Sequence, residues 1–261
     1  MEKTFLLGVG AQKAGTTWLC RALSASPRVN FGGRKEYHIW DAIYSDLFAD
    51  LRLRREKEAA SNKAHTGYLL QSQPGYYASF FNSILSSGTA LTGDITPSYS
   101  ILSAEDFRSV RKQLENIDAR LRVVFLMRDP FERCWSAIRM MKRTENITEP
   151  DEEILLGRYE KIDFILRTRY DRTIRNLRSV FSETELYFGL YETMFYEREL
   201  QRMSDFLGTS INSAAVNERH NFSPKFEQVS SQTKEVVQRF YSDVYEFCFK
   251  EFPDSRTHWL Q

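Results

Sequence analysis

Residues 4–23 constrain this chain most. The apolar run Phe5-Leu6-Leu7-Gly8-Val9 predicts a buried strand. Gly10-Ala11-Gln12-Lys13-Ala14-Gly15 predicts a tight loop, and residues 16–23 predict a helix. That order aims backbone N–H groups and the positive end of a helix at one point, which suits an anion. Gly10 and Gly15 keep the glycine spacing of the phosphate-binding pattern G-x-x-x-x-G-K-[ST], but Thr16 occupies the lysine position and the lysine lies inside the loop, at Lys13. In that pattern the lysine reaches the outer phosphates of a triphosphate, and the next hydroxyl holds Mg²⁺. A lysine two places before the second glycine sits over the loop instead, which favours a shorter phosphate chain and no metal. The structural alternative is a strand–helix turn with a solvated lysine.

The chain has 261 residues, enough for one large α/β domain over residues 1–261. Its net charge of +1 gives no global field for nucleic acid or an anionic membrane, so any anion site must be local. No stretch approaches the roughly 20 apolar residues that span a bilayer. The first predicted strand starts too early for a signal peptide, and the three cysteines, Cys20, Cys134 and Cys248, have neither disulfide nor metal spacing. The expectation is a cytoplasmic protein with no membrane and no nucleic-acid partner.

Further strands are predicted at 28–31, within 91–99 (a strand ending in a turn), at 121–127 (the clearest, as a continuous apolar run) and at 186–190. Helices are predicted at 51–60, across 67–85, and from Ser103 to about 119 with Asp106 completing a capping box. Others are predicted at 131–142, at 152–180 as one or two, at 195–207 closed by Gly208, and at 231–252 with Val236, Val237, Phe240, Val244, Phe247 and Cys248 on one side. Strands alternating with helices predict a three-layer α/β sandwich, a mostly parallel sheet with helices on both faces.

Three segments besides the loop carry chemistry. Arg128 leaves the end of the clearest strand, and Ser136 follows eight residues later, about two helical turns into the next helix. A guanidinium and a hydroxyl facing one point make a phosphate clamp. The segment Arg34-Lys35-Glu36-Tyr37-His38-Ile39-Trp40-Asp41 follows a predicted parallel strand, and α/β sheets bind ligands at the carboxyl ends of their strands. Gly93-Asp94-Ile95-Thr96-Pro97-Ser98-Tyr99 predicts a strand ending in a turn.

Together these motifs resemble the PAPS-dependent sulfotransferases, PAPS being 3′-phosphoadenosine 5′-phosphosulfate. Gln12-Lys13-Ala14-Gly15-Thr16-Thr17-Trp18-Leu19 is similar to their 5′-phosphosulfate loop, and 128–136 to their 3′-phosphate motif. Lys35-Glu36-Tyr37-His38 is similar to a segment of the heparan-sulfate type in which the glutamate is the base. The resemblance implies donor contacts from Lys13, Ala14, Gly15, Thr16, Thr17, Trp18, Arg128 and Ser136. It also implies donor contacts from Arg219 and Lys225 in a loop before the last helix. It implies Lys13, Glu36 and His38 at the chemistry, with His38 as the alternative base. Asp94, Thr96 and Tyr99 join Glu36 and His38 as acceptor contacts, with a supporting place behind the contact residues, or a purely structural turn, left open for Asp94. Ile95 stands where the heparan-sulfate type has a lysine, which argues against a highly sulfated acceptor. The expected reaction is transfer of SO₃ from PAPS to a hydroxyl of a carbohydrate, a glycosylated metabolite or another small molecule, leaving PAP and using no metal. Two alternatives stay open: a P-loop kinase using ATP and Mg²⁺, and a non-catalytic PAP-binding module.

Overall fold

The computed structural model describes residues 2–61, 66–211 and 228–259. Four strands, β1 (Thr4–Gly10), β2 (Leu91–Ile95), β3 (Arg120–Met127) and β4 (Leu186–Leu190), form one sheet in the order β2-β1-β3-β4, and every pairing is parallel. Between β1 and β2 run α1 (Thr16–Ser24), α2 (Trp40–Tyr44), α3 (Ala49–Ala60), α4 (Thr66–Ser72) and α5 (Tyr76–Ser86). α6 (Ala104–Leu114) connects β2 to β3. α7 (Pro130–Glu145), α8 (Asp151–Arg158), α9 (Ile162–Thr168) and α10 (Tyr170–Arg178) lie between β3 and β4. α11 (Glu197–Leu207), α12 (Ser231–Phe240), α13 (Ser242–Glu251) and α14 (Pro253–Trp259) follow. Among the described residues no helix is long and apolar enough to cross a membrane.

β1 is buried along its whole length and β3 from Val123 to Met127. Such runs need helices on both faces. The first connection leaves β1 toward one edge of the sheet, and the later ones run toward the other. Right-handed crossovers therefore place the two sets of helices on opposite faces. The chain parts between β1 and β3, so a crevice opens beyond their carboxyl ends. Gly93 permits the close approach of β1 and β2: a Cβ there would lie 2.1 Å from the Leu6 carbonyl oxygen.

Several expectations change. Residues 28–31 form no strand; Val29 makes one parallel bridge to Leu91. Pro27 before it and the left-handed pair Gly32 (φ 67°) and Gly33 (φ 80°) after it turn the chain away from longer pairing. The ionisable segment 34–41 therefore follows a turn, and reaches the sheet where Ile95 N–H donates to the Lys35 carbonyl at 2.9 Å. Region 152–180 divides into three helices, and the helix from Ser103 stops at Leu114, though its capping box is present. The last predicted helix breaks at Tyr241, whose hydroxyl donates to the Tyr159 carbonyl at 2.6 Å. The break leaves Val236 and Phe240 exposed while Val237, Val244 and Cys248 stay buried.

Candidate active site

The loop after β1 is shaped by residues in the left-handed region. Lys13 has φ 71°, and Gly15, which stands just ahead of α1, has φ 89°. A Cβ on Gly15 would lie 2.6 Å from the Met194 sulfur, so the loop packs closely against the turn after β4, and the positive φ is what favours glycine there. α1 has no side-chain cap and no acidic residue in its first turn. Its first N–H groups and the positive end of its dipole are left for an anion. Ala14 is fully buried, so its contribution is backbone alone. Thr16 Oγ1 accepts from Lys35 Nζ at 3.1 Å.

Arg128 leaves β3 and crosses back to the loop. Its Nη1 donates to the Lys13 carbonyl at 3.3 Å, its Nη2 to Glu132 at 2.9 Å, and its guanidinium lies 4.7 Å from the centre of the Tyr191 ring. Asp129 caps α7 and Pro130 begins it, which fixes the helix start beside the loop. Ser136, Met140 and Arg143, at helical spacing, then face one cleft of about 490 Å³ with Lys13, Gly15, Thr16, Thr17, Trp18, Lys35, Glu36, His38 and Arg128. Arg167 lines it too. Among the described residues of that cleft five are lysines or arginines (Lys13, Lys35, Arg128, Arg143, Arg167), and Glu36 is the one carboxylate. Burial first, and then Arg143, Arg128, Arg139 and Lys35, push Lys13 down to about 8. A lysine crowded in this way is stabilised by a bound anion.

On the opposite wall Glu36 lies between two cations. Lys35 Nζ is 2.5 Å from Oε1, and His38 Nε2 is 3.2 Å from Oε2. The other imidazole nitrogen, Nδ1, is 2.7 Å from Asp41, a fully buried carboxylate that also accepts from Ser98 Oγ at 2.5 Å and Ala42 N–H at 2.9 Å. Burial works against both charged forms but is overcome. The hydrogen bonds from His38 and Lys35 and the charge of Lys35 hold Glu36 at about 2, and bonds to Asp41 and Glu36 lift His38 to about 9. At neutral pH the Glu36 carboxylate therefore faces a His38 imidazolium whose other nitrogen is held by Asp41.

His38 itself has φ 52°, unusual for a non-glycine residue, and its surroundings impose it. Arg55 donates to the Tyr37 and His38 carbonyls, at 2.7 Å each. Thr96 Oγ1 accepts from the N–H groups of Tyr37 (3.0 Å) and His38 (3.3 Å), and the Tyr99 hydroxyl accepts from Ile39 N–H at 3.0 Å. Asp94 anchors this underlay by accepting from Thr96 Oγ1 (2.6 Å), Tyr99 OH (2.6 Å), Tyr77 OH (3.1 Å) and Tyr37 N–H (3.3 Å).

Asp94, Thr96 and Tyr99, expected as acceptor contacts, are therefore corrected. All three are fully buried, none lines the cleft, and their polar atoms are spent on holding residues 37–39. Lys13, Gly15, Thr16, Thr17, Trp18, Glu36, His38, Arg128 and Ser136 do converge on one cleft. Arg219 and Lys225 lie outside the described residues. The sequence reading missed the roles of Asp41, Arg55, Arg143, Arg167 and Tyr191. A signal existed for two of them: Asp41 follows His38 by three places, and Arg143 continues the face that begins at Ser136.

The raised His38 has a consequence for stability. Its folded value of about 9 exceeds the ordinary value of about 6.5. Its contribution is therefore fully present below pH 6.5 and is lost as pH rises through 9. Melting temperature is expected to fall between pH 6.5 and 9, and to fall less steeply in His38→Gln. Parallel slopes for the two proteins would contradict the His38 imidazolium.

No protein-family model and no curated protein sequence matches this chain. Solved structures do. A sulfotransferase from Alicyclobacillus acidocaldarius aligns with a TM-score of 0.59 at 18% identity, over 93% of this chain and 92% of its own. Mouse sulfotransferase SULT7A1, solved in complex with PAP, aligns with a TM-score of 0.54 at 13% identity, over 98% of this chain and 87% of its own. The chain has the sulfotransferase fold: a parallel α/β sheet whose β1 loop and β3 end share one cleft.

Proposed function

We propose that this protein moves a sulfuryl group from PAPS to an acceptor hydroxyl, on a carbohydrate or a glycosylated small molecule, with Glu36 as the base. One observation carries the reading. The glycine loop, the Arg128–Ser136 pair and the Glu36–His38 pair, far apart in sequence, line a single cleft in which cations outnumber carboxylates. The donor supplies an activated S–O bond when bound. The α1 N-terminus and Lys13 would hold its 5′-phosphosulfate, and Arg128 with Ser136 its 3′-phosphate. ATP has no 3′-phosphate, so a site built for one leaves Arg128 poorly satisfied by ATP. Thr16, at the lysine position of the G-x-x-x-x-G-K-[ST] pattern, accepts from Lys35, which favours the sulfuryl reading over a kinase.

Glu36 takes the acceptor's proton as the new O–S bond forms and the bridging S–O bond breaks. The leaving electron pair goes to the 5′-phosphate oxygen, beside Lys13. His38 already carries its proton, so it is unsuited to accept another and instead holds Glu36 in place. Lys35 bonds both Glu36 and Thr16. Its movement toward a bound donor would free the carboxylate from one cation and raise its basicity.

The test is thermal stabilisation by PAP set against ATP with Mg²⁺. PAP at about 100 times its Kd should add about 2.7 kcal/mol, a shift of roughly 5–10 °C for a chain of this size. Arg128→Ala is expected to weaken PAP about ten- to a hundredfold. A shift with ATP and Mg²⁺ but none with PAP would make the chain a kinase candidate.

A further inference from the structure

Arg167 lines the cleft but belongs to neither the glycine loop nor α7. The cations that bear most on Lys13 are Arg143, Arg128, Arg139 and Lys35, whereas Arg167, pushed down first by burial and then by Arg133, is favoured as a cation by Asp163 and, more weakly, by Asp41, the buried partner of His38. The geometry agrees. The Arg167 guanidinium lies 5.9 Å from the centre of the Phe48 ring, and the His38 ring stacks on the same Phe48 at 5.6 Å with an interplanar angle of 29°. Arg167 and His38 therefore border the same ring, which puts Arg167 on the Glu36–His38 side of the cleft.

Its hydrogen bonding is incomplete. Nη1 donates to the Asp163 carbonyl oxygen at 2.9 Å and meets the Asp163 carboxylate only at 3.5 Å, while Nε is buried with no hydrogen-bond partner. The side chain keeps 15% of its exposure, and that of Asp163 keeps 32%, so the counter-charge is partly in solvent. A guanidinium desolvated to this degree with so little of its donor capacity used is stabilised by an anion in the cleft. In the proposed reading the α1 N-terminus, Lys13, Arg128 and Ser136 serve the 5′ and 3′ groups of the donor, so the anion left for Arg167, on the Glu36–His38 side, is the acceptor's.

We propose that Arg167 is a specificity residue that pairs with an anionic group on the acceptor. The acceptor is then a hydroxyl compound that carries a carboxylate or phosphate placed to reach Arg167 when its hydroxyl lies at Glu36. This deepens the sulfuryl-transfer reading and rests on it.

The probes are 4-methylumbelliferyl β-D-glucoside, its 6-phosphate and the corresponding β-D-glucuronide, assayed with PAPS. The wild type should favour the acidic probes over the neutral glucoside by about ten- to a hundredfold in kcat/KM, mainly through KM. The phosphate and carboxylate arms show which anion fits. Arg167→Gln should bring the acidic probes down to the level of the neutral one. Asp163→Asn, which removes the competing carboxylate and keeps the guanidinium, should lower KM for the acidic probes severalfold and keeps the test open if Arg167→Gln misfolds. Equal kcat/KM for the three probes, an equal loss on all three in Arg167→Gln, or no turnover of any probe overturns the assignment. PAP stabilisation measured on the same samples separates the two readings. Its presence without an acid preference removes only the role of Arg167, and its absence in the wild type removes the donor reading and this one with it.

Discussion

Glu36→Gln should lower turnover by about 10²–10⁴-fold while stabilisation by PAP survives almost intact. The substitution keeps the size and shape of the side chain and one oxygen acceptor. It removes the charge that attracts Lys35 and His38, and the lone pair that would take a proton. In the proposed reading the donor groups lie elsewhere, on the loop, α1 and Arg128, so donor binding has no direct stake in the carboxylate. The competing assignment makes His38 the base. It fits the geometry poorly, because the imidazole lies between Glu36 and the buried Asp41 and is raised to about 9. Steady-state kinetics of Glu36→Gln and His38→Ala decide between them. Near-full turnover in the first with loss in the second would assign the base to His38.

Asp94→Ala should destabilise the fold by about 3–5 kcal/mol, which for a domain of this length is roughly 10 °C in melting temperature. The Asp94 carboxyl is completely buried, and burial pushes it up to about 6 against the hydrogen bonds that favour its ionised form. Four donors point at it. Truncation leaves the hydroxyls of Tyr77 and Tyr99, the Thr96 hydroxyl and part of the Tyr37 N–H without an acceptor in the core. Thr96 and Tyr99 are also what hold the backbone at residues 37–39, so the folded variant should lose turnover as well. Urea unfolding gives the first quantity, and activity well below the midpoint gives the second. A cost under about 1 kcal/mol would mean that the cluster relaxes onto other partners.

The same cluster shows where sequence reading stopped. Asp94, Thr96 and Tyr99 stand in a motif with functional overtones, and nothing in one dimension distinguishes a polar residue facing substrate from one supporting the backbone beneath it. The distinction is burial, and burial depends on Tyr77 of α5 and Arg55 of α3 arriving from elsewhere in the chain. Arg167 left no signal for a similar reason. It is one arginine among many until α9 sets it beside Phe48. Elements failed where tertiary contacts overrode local pattern, as at Tyr241, where a hydrogen bond to another segment marks a break in a continuous apolar stripe.

The glycine loop, the apolar strands and the order of the motifs were determined by the sequence alone. Short-range physics governs each: a lysine between two glycines, a strand with no polar side to expose, a capped helix start after Arg128. The tertiary structure alone decided which charges meet. Glu36 lies beside His38, His38 beside Asp41, and five lysines and arginines share one cleft with them, because parallel strands bring Gly10 and Met127 to the same end of the sheet. Electrostatic interactions fall off with distance and strengthen with burial, and both quantities exist only once the chain has folded.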